Sequence, residues 1–198
     1  MLSRFSGTRL SADVARTSCN VLNLLELDDR TRDLMLREID RDVEGGTLYI
    51  SPRLTSLGQS EYPQLLRDTA AHHDTSWLEN ELRAPGRLRS EERRRSADGS
   101  MTSVDVPEDA AQLLAESEIN RFYMRAICLR AVADGTLQLV IYWAATGKTA
   151  SGVAGAKIGQ RVGPRALLRD LRDNPSVDRA LGMPLGTANG LSACLSGD

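Results

Sequence analysis

The chain has 198 residues, enough for one domain or for one domain with a helical appendage. Its 25 basic and 27 acidic residues leave a formal net charge of −2, which gives no overall attraction to phosphate. Hydrophobic residues make up 41% and aromatics only 4%, so the core must come mainly from Leu, Val, Ile and Ala, and a base-stacking surface for single strands is argued against.

No apolar run approaches the roughly 18 residues of a membrane span. Met1 to Arg16 contains no apolar segment of the secretory kind. Cys19, Cys128 and Cys194 form no C-x-x-C pair and are expected as reduced thiols, which points to the cytoplasm. Only Lys148 and Lys157 are lysines, so 23 of the 25 basic residues are arginine. A GC-rich genome accounts for that bias, although arginine's planar fork also suits interfaces.

In chain order, residues 1–10 read as a polar, irregular arm, and Ser11 as the cap of a helix carrying Val14, Val21, Leu22 and Leu25. Asp28 is an N-cap candidate for a second helix, with Met35, Ile39 and Val43 forming an apolar stripe that Gly45-Gly46 ends. Residues 26–44 hold eight acidic and four basic side chains, read as an acidic, solvated face. A short extended piece is expected at residues 48–50. Short helices follow at 62–69, with Pro63 in the first turn, and at 77–83. Residues 86–100 read as a flexible, Arg-rich linker with a turn at Ala97-Asp98-Gly99, and residues 101–106 as a strand.

The strongest helix spans residues 107–134. There Ala115, Ile119, Phe122, Ala126, Leu129 and Ala133 make one continuous apolar face. Residues 137–145 read as a strand buried on both faces, and the strand–helix–strand order over 101–145 as a candidate right-handed crossover. Residues 146–163 read as a long loop with a short strand near 157–162, residues 164–173 as a helix, and the remainder as an irregular wrap. The expected fold is α+β: a helix-rich single domain with a small sheet of two to four strands and irregular N- and C-terminal arms. Residues 1–27 would be the arm and first helix, and 28–198 the main domain.

Chemical motifs are sparse. Thr146-Gly147-Lys148-Thr149 lacks the first glycine of a phosphate loop, because Tyr142 stands there, and poor helix formers follow it. His72 and His73 are the only histidines, and adjacent positions diverge on a helix, so they do not make a metal pair. Cys128 falls within the core helix, and there is no G-x-S-x-G elbow. Carboxylate pairs such as Asp40 with Glu44 read as solvated, and Glu118 with Arg121 as local helix support. No catalytic residue, cofactor or metal is assigned. The one binding candidate is Arg87, Arg89, Arg93, Arg94 and Arg95, which with Glu91 and Glu92 carry a local charge of +3. This cluster suits DNA phosphates, or an acidic surface such as the 26–44 helix of a neighbouring copy.

Two stretches carry a resemblance. Asn120-Arg121-Phe122-Tyr123-Met124-Arg125 with Cys128-Leu129-Arg130-Ala131, and Leu181-Gly182-Met183-Pro184 with Asn189-Gly190-Leu191-Ser192, resemble segments of uncharacterised bacterial proteins, some of them prophage-encoded. Together they cover about a quarter of the chain. The resemblance implies a structural or accessory role in phage-particle or mobile-element biology and no activity. The first expectation is therefore a non-enzymatic assembly protein, such as a capsid-associated or head–tail joining component, whose partners are copies of itself or other assembly proteins. The alternatives are a nucleic-acid-binding accessory protein acting through the arginine cluster, and an enzyme whose site would be a polar pocket at the end of the 137–145 strand.

Overall fold

Helix α4 (Ala110–Ala133) is the axis of the computed structural model, which describes residues 22–95, 99–147, 149–150, 152–184 and 190–196. From Glu118 to Cys128 every residue of α4 is buried, so the helix is enclosed on all sides rather than along the single apolar face that the spacing predicts. Helices α1 (Asp29–Glu44), α3 (Thr75–Arg83) and α6 (Pro164–Asp173) pack around it, and α2 (Ser56–His72) packs on α1 and α3. Two antiparallel sheets complete a helix-rich α+β domain.

Helix starts follow local chemistry. Asp28 Oδ1 accepts the Thr31 N–H at 2.9 Å, and Thr55 Oγ1 accepts the Gly58 N–H at 3.1 Å. The second cap corrects the expectation of a short helix begun by Pro63. Helix α2 starts at Ser56 and carries Pro63 in its interior. A proline there costs about 3 kcal/mol in lost hydrogen bonding and ring clash, and the full burial of Tyr62 and Leu66 on either side offsets it.

The strand expected at residues 101–106 is present as β2 (Met101–Asp105), and it pairs with β1 (Glu91–Arg95), a strand where a flexible linker was expected, to form a two-stranded ribbon. The other sheet has the order β4–β3–β5, with β3 (Leu139–Trp143) between β4 (Arg161–Val162) and β5 (Leu191–Leu195). Because β2 and β3 lie in different sheets, the expected crossover does not form. Nor is β3 buried on both faces: Leu139 and Ile141 are buried, while Val140 and Tyr142 are only half-covered. The tail is not an irregular wrap either. It includes the short helix α7 (Val177–Ala180) and strand β5, whose alternate residues Leu191 and Ala193 enter the core. The 146–163 stretch includes one short helix, α5 (Gly152–Gly155), before β4.

The helix expected from Ser11 falls mostly on residues 1–21, outside the described residues. Its last positions are not helical: Leu22 bridges Ala145, and Asn23 donates its N–H to the Ala144 carbonyl at 2.8 Å. Glu26 then accepts the Tyr123 hydroxyl at 2.7 Å on Oε2 and the Leu195 N–H at 3.2 Å on Oε1. Cys128 is fully buried, and burial pushes its thiol up to about 12, consistent with a packing role. Among the described residues no helix is long and apolar enough to cross a membrane.

Candidate functional site

The five arginines of the binding candidate lie along one stretch of backbone that leaves the body and turns into the ribbon. Thr55 N–H donates to Arg87 O at 2.9 Å, Arg89 N–H donates to Arg53 O at 2.9 Å, and Leu88 bridges Leu54. This pairing anchors the base. Beyond it the chain pairs only with β2, starting from a Val106 N–H bond to Ser90 O at 2.9 Å.

Within β1 side chains alternate, which sets Arg94 on one face and Arg93 and Arg95 on the other, while Arg87 and Arg89 sit at the base. Arg87 sits at the base, where Glu61 at 2.7 Å and Glu81 at 2.5 Å pair with it and raise its pKa. Arg89 donates Nε to the Leu54 carbonyl at 3.3 Å. Arg94 donates to Glu92 at 2.7 Å, and Glu92 also takes Arg53 at 2.7 Å. Hydrogen bonds from these two guanidinium groups, Arg53 first, hold the Glu92 carboxyl below its ordinary value. The Glu92–Arg94 face, with Val104 and Thr102 opposite, therefore leans to the body. Glu91, Arg93 and Arg95, with Asp105, Ser103 and Met101 opposite, form the outward face, and all six are exposed. Two arginines and two carboxylates on that face cancel. The local charge of +3 read from the sequence does not become a positive surface.

Among the described residues no strand pairs with either outer edge of the ribbon, and its outward face is open. Of its ten strand residues only Glu92 and Val104 are even partly covered, and Met101 is 49% exposed. A two-stranded ribbon of this kind is marginal on its own in water, and its open backbone is a template for another strand.

A second group of arginines is buried. Arg121 and Arg125 on α4 are 2% and 0% exposed at the side chain. Arg125 Nη1 donates to Asp42 Oδ2 at 2.7 Å, and Arg121 Nη2 donates to Glu118 Oε2 at 2.6 Å. Arg172 on α6 donates Nε to Glu38 at 3.0 Å. Both α4 guanidinium groups lie over the Phe122 ring, at 4.6 and 5.4 Å from its centroid. Thus the acidic face expected on α1 is not wholly solvated. Glu38 and Asp42 turn inward as counter-charges, and the expected Glu118–Arg121 pair within the helix is present and buried in the core. One signal was present in the sequence: Glu38 and Asp42 flank Ile39 on the apolar side of α1.

Near the Trp143 end of the central sheet lies a cleft of about 400 Å³, lined in part by Tyr49, Glu116, Glu118, Asn120, Asp178 and Gly190. Glu118 is held above its ordinary value by burial, against the pull of Arg121. Asn120 donates Nδ2 to the Leu191 carbonyl at 2.6 Å, and its buried Oδ1 has no partner among the described residues. Gly190 has φ +106°, and a Cβ there would stand 2.8 Å from the Trp143 ring. Only glycine lets the chain pass between the cleft and the sheet.

His72, at the end of α2, is exposed, and His73 stacks on Trp77 with ring centroids 4.1 Å apart. Among the described residues no group of three His, Cys, Asp or Glu side chains is placed to hold a metal ion. Of Thr146-Gly147-Lys148-Thr149, Lys148 lies outside the described residues, and the positions around it are not helical. No protein-family model matches the chain, and neither a curated protein nor a solved structure matches it.

Proposed function

We propose that this protein is a non-enzymatic assembly protein that binds other chains, its own copies first, through the β1–β2 ribbon. The observation that carries the reading is the ribbon itself: a backbone ladder with its outward face exposed and with neither outer edge paired among the described residues. Strand addition to such an edge supplies affinity from main-chain hydrogen bonds and specificity from alternate side chains. The resemblance to prophage-encoded proteins agrees with this, and a capsid-associated or head–tail joining component of a virion is the particular form proposed. DNA binding by the arginine cluster is disfavoured, because Arg87 and Arg94 are paired to carboxylates and the outward face is neutral.

The test is light scattering of the eluting protein at rising concentration, with absorbance read at 260 and 280 nm. Wild type is expected to exceed the mass of one chain and to carry no nucleic acid. Val106 N–H to Ser90 O closes the base of the ribbon at 2.9 Å, so a variant with residues 91–105 replaced by a short Gly-Ser link keeps the body and is expected to run as one chain. Association that survives this replacement would defeat the proposal.

A second reading, a small-molecule site in the cleft, is favoured by the unpartnered Asn120 Oδ1 and the buried Glu118 beside it. Concave sites with a few convergent polar groups are the usual ligand sites. A thermal-shift screen with small amines and amides tests it. Stabilisation by at least one of them that disappears in Asn120→Leu is the expected result, and no stabilisation at millimolar concentration removes the reading.

A further inference from the structure

We infer that the ribbon pairs with the ribbon of a second copy, β1 against β1, antiparallel about a two-fold axis at Arg93; this rests on the assembly reading above. The backbone settles which groups point outward. Hydrogen bonds alternate sides along a strand. Arg87 and Arg89 bond toward residues 53–55, while Ser90 bonds toward β2. Carried forward, the alternation turns the N–H and C=O of Glu91, Arg93 and Arg95 to the open edge of β1, past the point where the 53–55 segment ends.

The side chains settle the register. The strand reads Glu-Glu-Arg-Arg-Arg, and against its own reverse it is complementary. With Arg93 on the axis, Glu91 faces Arg95 of the second copy, Glu92 faces Arg94, and the two reciprocal pairs repeat by symmetry. Directly opposed unlike charges stabilise such pairs and like charges oppose them. The two Glu91–Arg95 pairs on the outward face, with Glu92 and Arg94 already bonded within each chain, stand against one unfavourable pair, Arg93 with itself. A shift by two residues in either direction loses pairs, and a parallel alignment in register puts every like charge together. The same surface patch serves both copies, as an isologous interface requires.

Sedimentation velocity at low salt tests the pairing. Glu91→Arg and Arg95→Glu each place like charges opposite one another, and each is expected to weaken self-association at least tenfold. Mixed in equal amounts they regain complementarity, and association recovers, as it does in the double variant Glu91→Arg with Arg95→Glu. Arg93→Thr removes the one repulsive pair and tightens self-association, whereas a purely DNA-binding role for Arg93 predicts no such tightening. These positions are exposed, so circular dichroism is expected to show the wild-type fold in every variant. If wild type self-associates and the single variants do so equally well, the β1–β1 pairing is overturned while the assembly reading stands. If wild type stays a single chain at all concentrations, both fall.

Discussion

Replacing Asp42 by Ala is expected to lower the stability of the domain by about 3–5 kcal/mol, the usual cost of leaving a buried charge without its partner. Asp42 lies in the last turn of α1, fully buried, with Oδ2 accepting Arg125 Nη1 at 2.7 Å and Arg121 Nη1 at 3.5 Å. Arg121 keeps Glu118, but Arg125 has no other contact as close, and its Nε and Nη2 are already without partners among the described residues. Burial lowers the Arg125 pKa from its ordinary value, with Asp42 acting in the opposite direction. Against a total stability of about 5–15 kcal/mol for a domain, the loss is about a fifth or more. Urea denaturation measures it. The companion variant, Asp42→Leu with Arg125→Met, removes both charges and is expected to be more stable than Asp42→Leu alone. A loss below about 1 kcal/mol, the range of exposed ion pairs, would show that water reaches the network.

Gly58→Ala is expected to destabilise the domain, although alanine is favoured over glycine inside a helix by about 1 kcal/mol. A Cβ at Gly58 would stand 2.2 Å from the Arg87 carbonyl oxygen and 3.1 Å from Leu54 Cδ2. The carbonyl is not free to retreat, because it accepts the Thr55 N–H at 2.9 Å. Overpacking of this kind costs about 1–3 kcal/mol, and here it falls on the anchor of the ribbon. Hydrogen exchange at the Thr55 and Arg89 amides is expected to accelerate more than exchange within α4. Ser60→Ala, on the exposed side of the same helix, serves as the control with unchanged stability and exchange. Equal stability of Gly58→Ala and wild type would mean that the anchor yields without cost.

The sequence carried most of the helical framework, since its signals are local. Asp28 and Gly45 bracket α1, Gly135 follows α4, and Pro164 opens α6, each by chemistry confined to one turn. What it did not carry depends on distant partners. Strand β5 looked like an irregular tail because its ladder is supplied by β3, about fifty residues earlier. Strand β1 looked like a linker because Glu-Glu-Arg-Arg-Arg has no apolar alternation, and its strand conformation follows from the Leu54–Leu88 anchor and the facing β2. The burial of Arg121 and Arg125 could not be read from the sequence, because their counter-charges Glu38 and Asp42 arrive from α1. Of the candidate site, the arginine positions were legible. Their division into two faces, and the carboxylates that neutralise part of the cluster, needed the register.

The contacts of Glu26 bear on how the chain is made. One carboxylate receives a hydroxyl from the middle of the molecule and an amide from a strand 169 residues further on. During synthesis at about 5–20 residues per second, that amide emerges roughly 10–30 s after Glu26 does. The early helices can gather within that interval, but β3 stands without β5 and the 22–27 segment without its last tie. The nascent protein thus passes through a stage with an exposed sheet edge. Slowing translation across the codons between β3 and β5 prolongs that stage, and chaperone engagement in the cell is then greatest before β5 emerges.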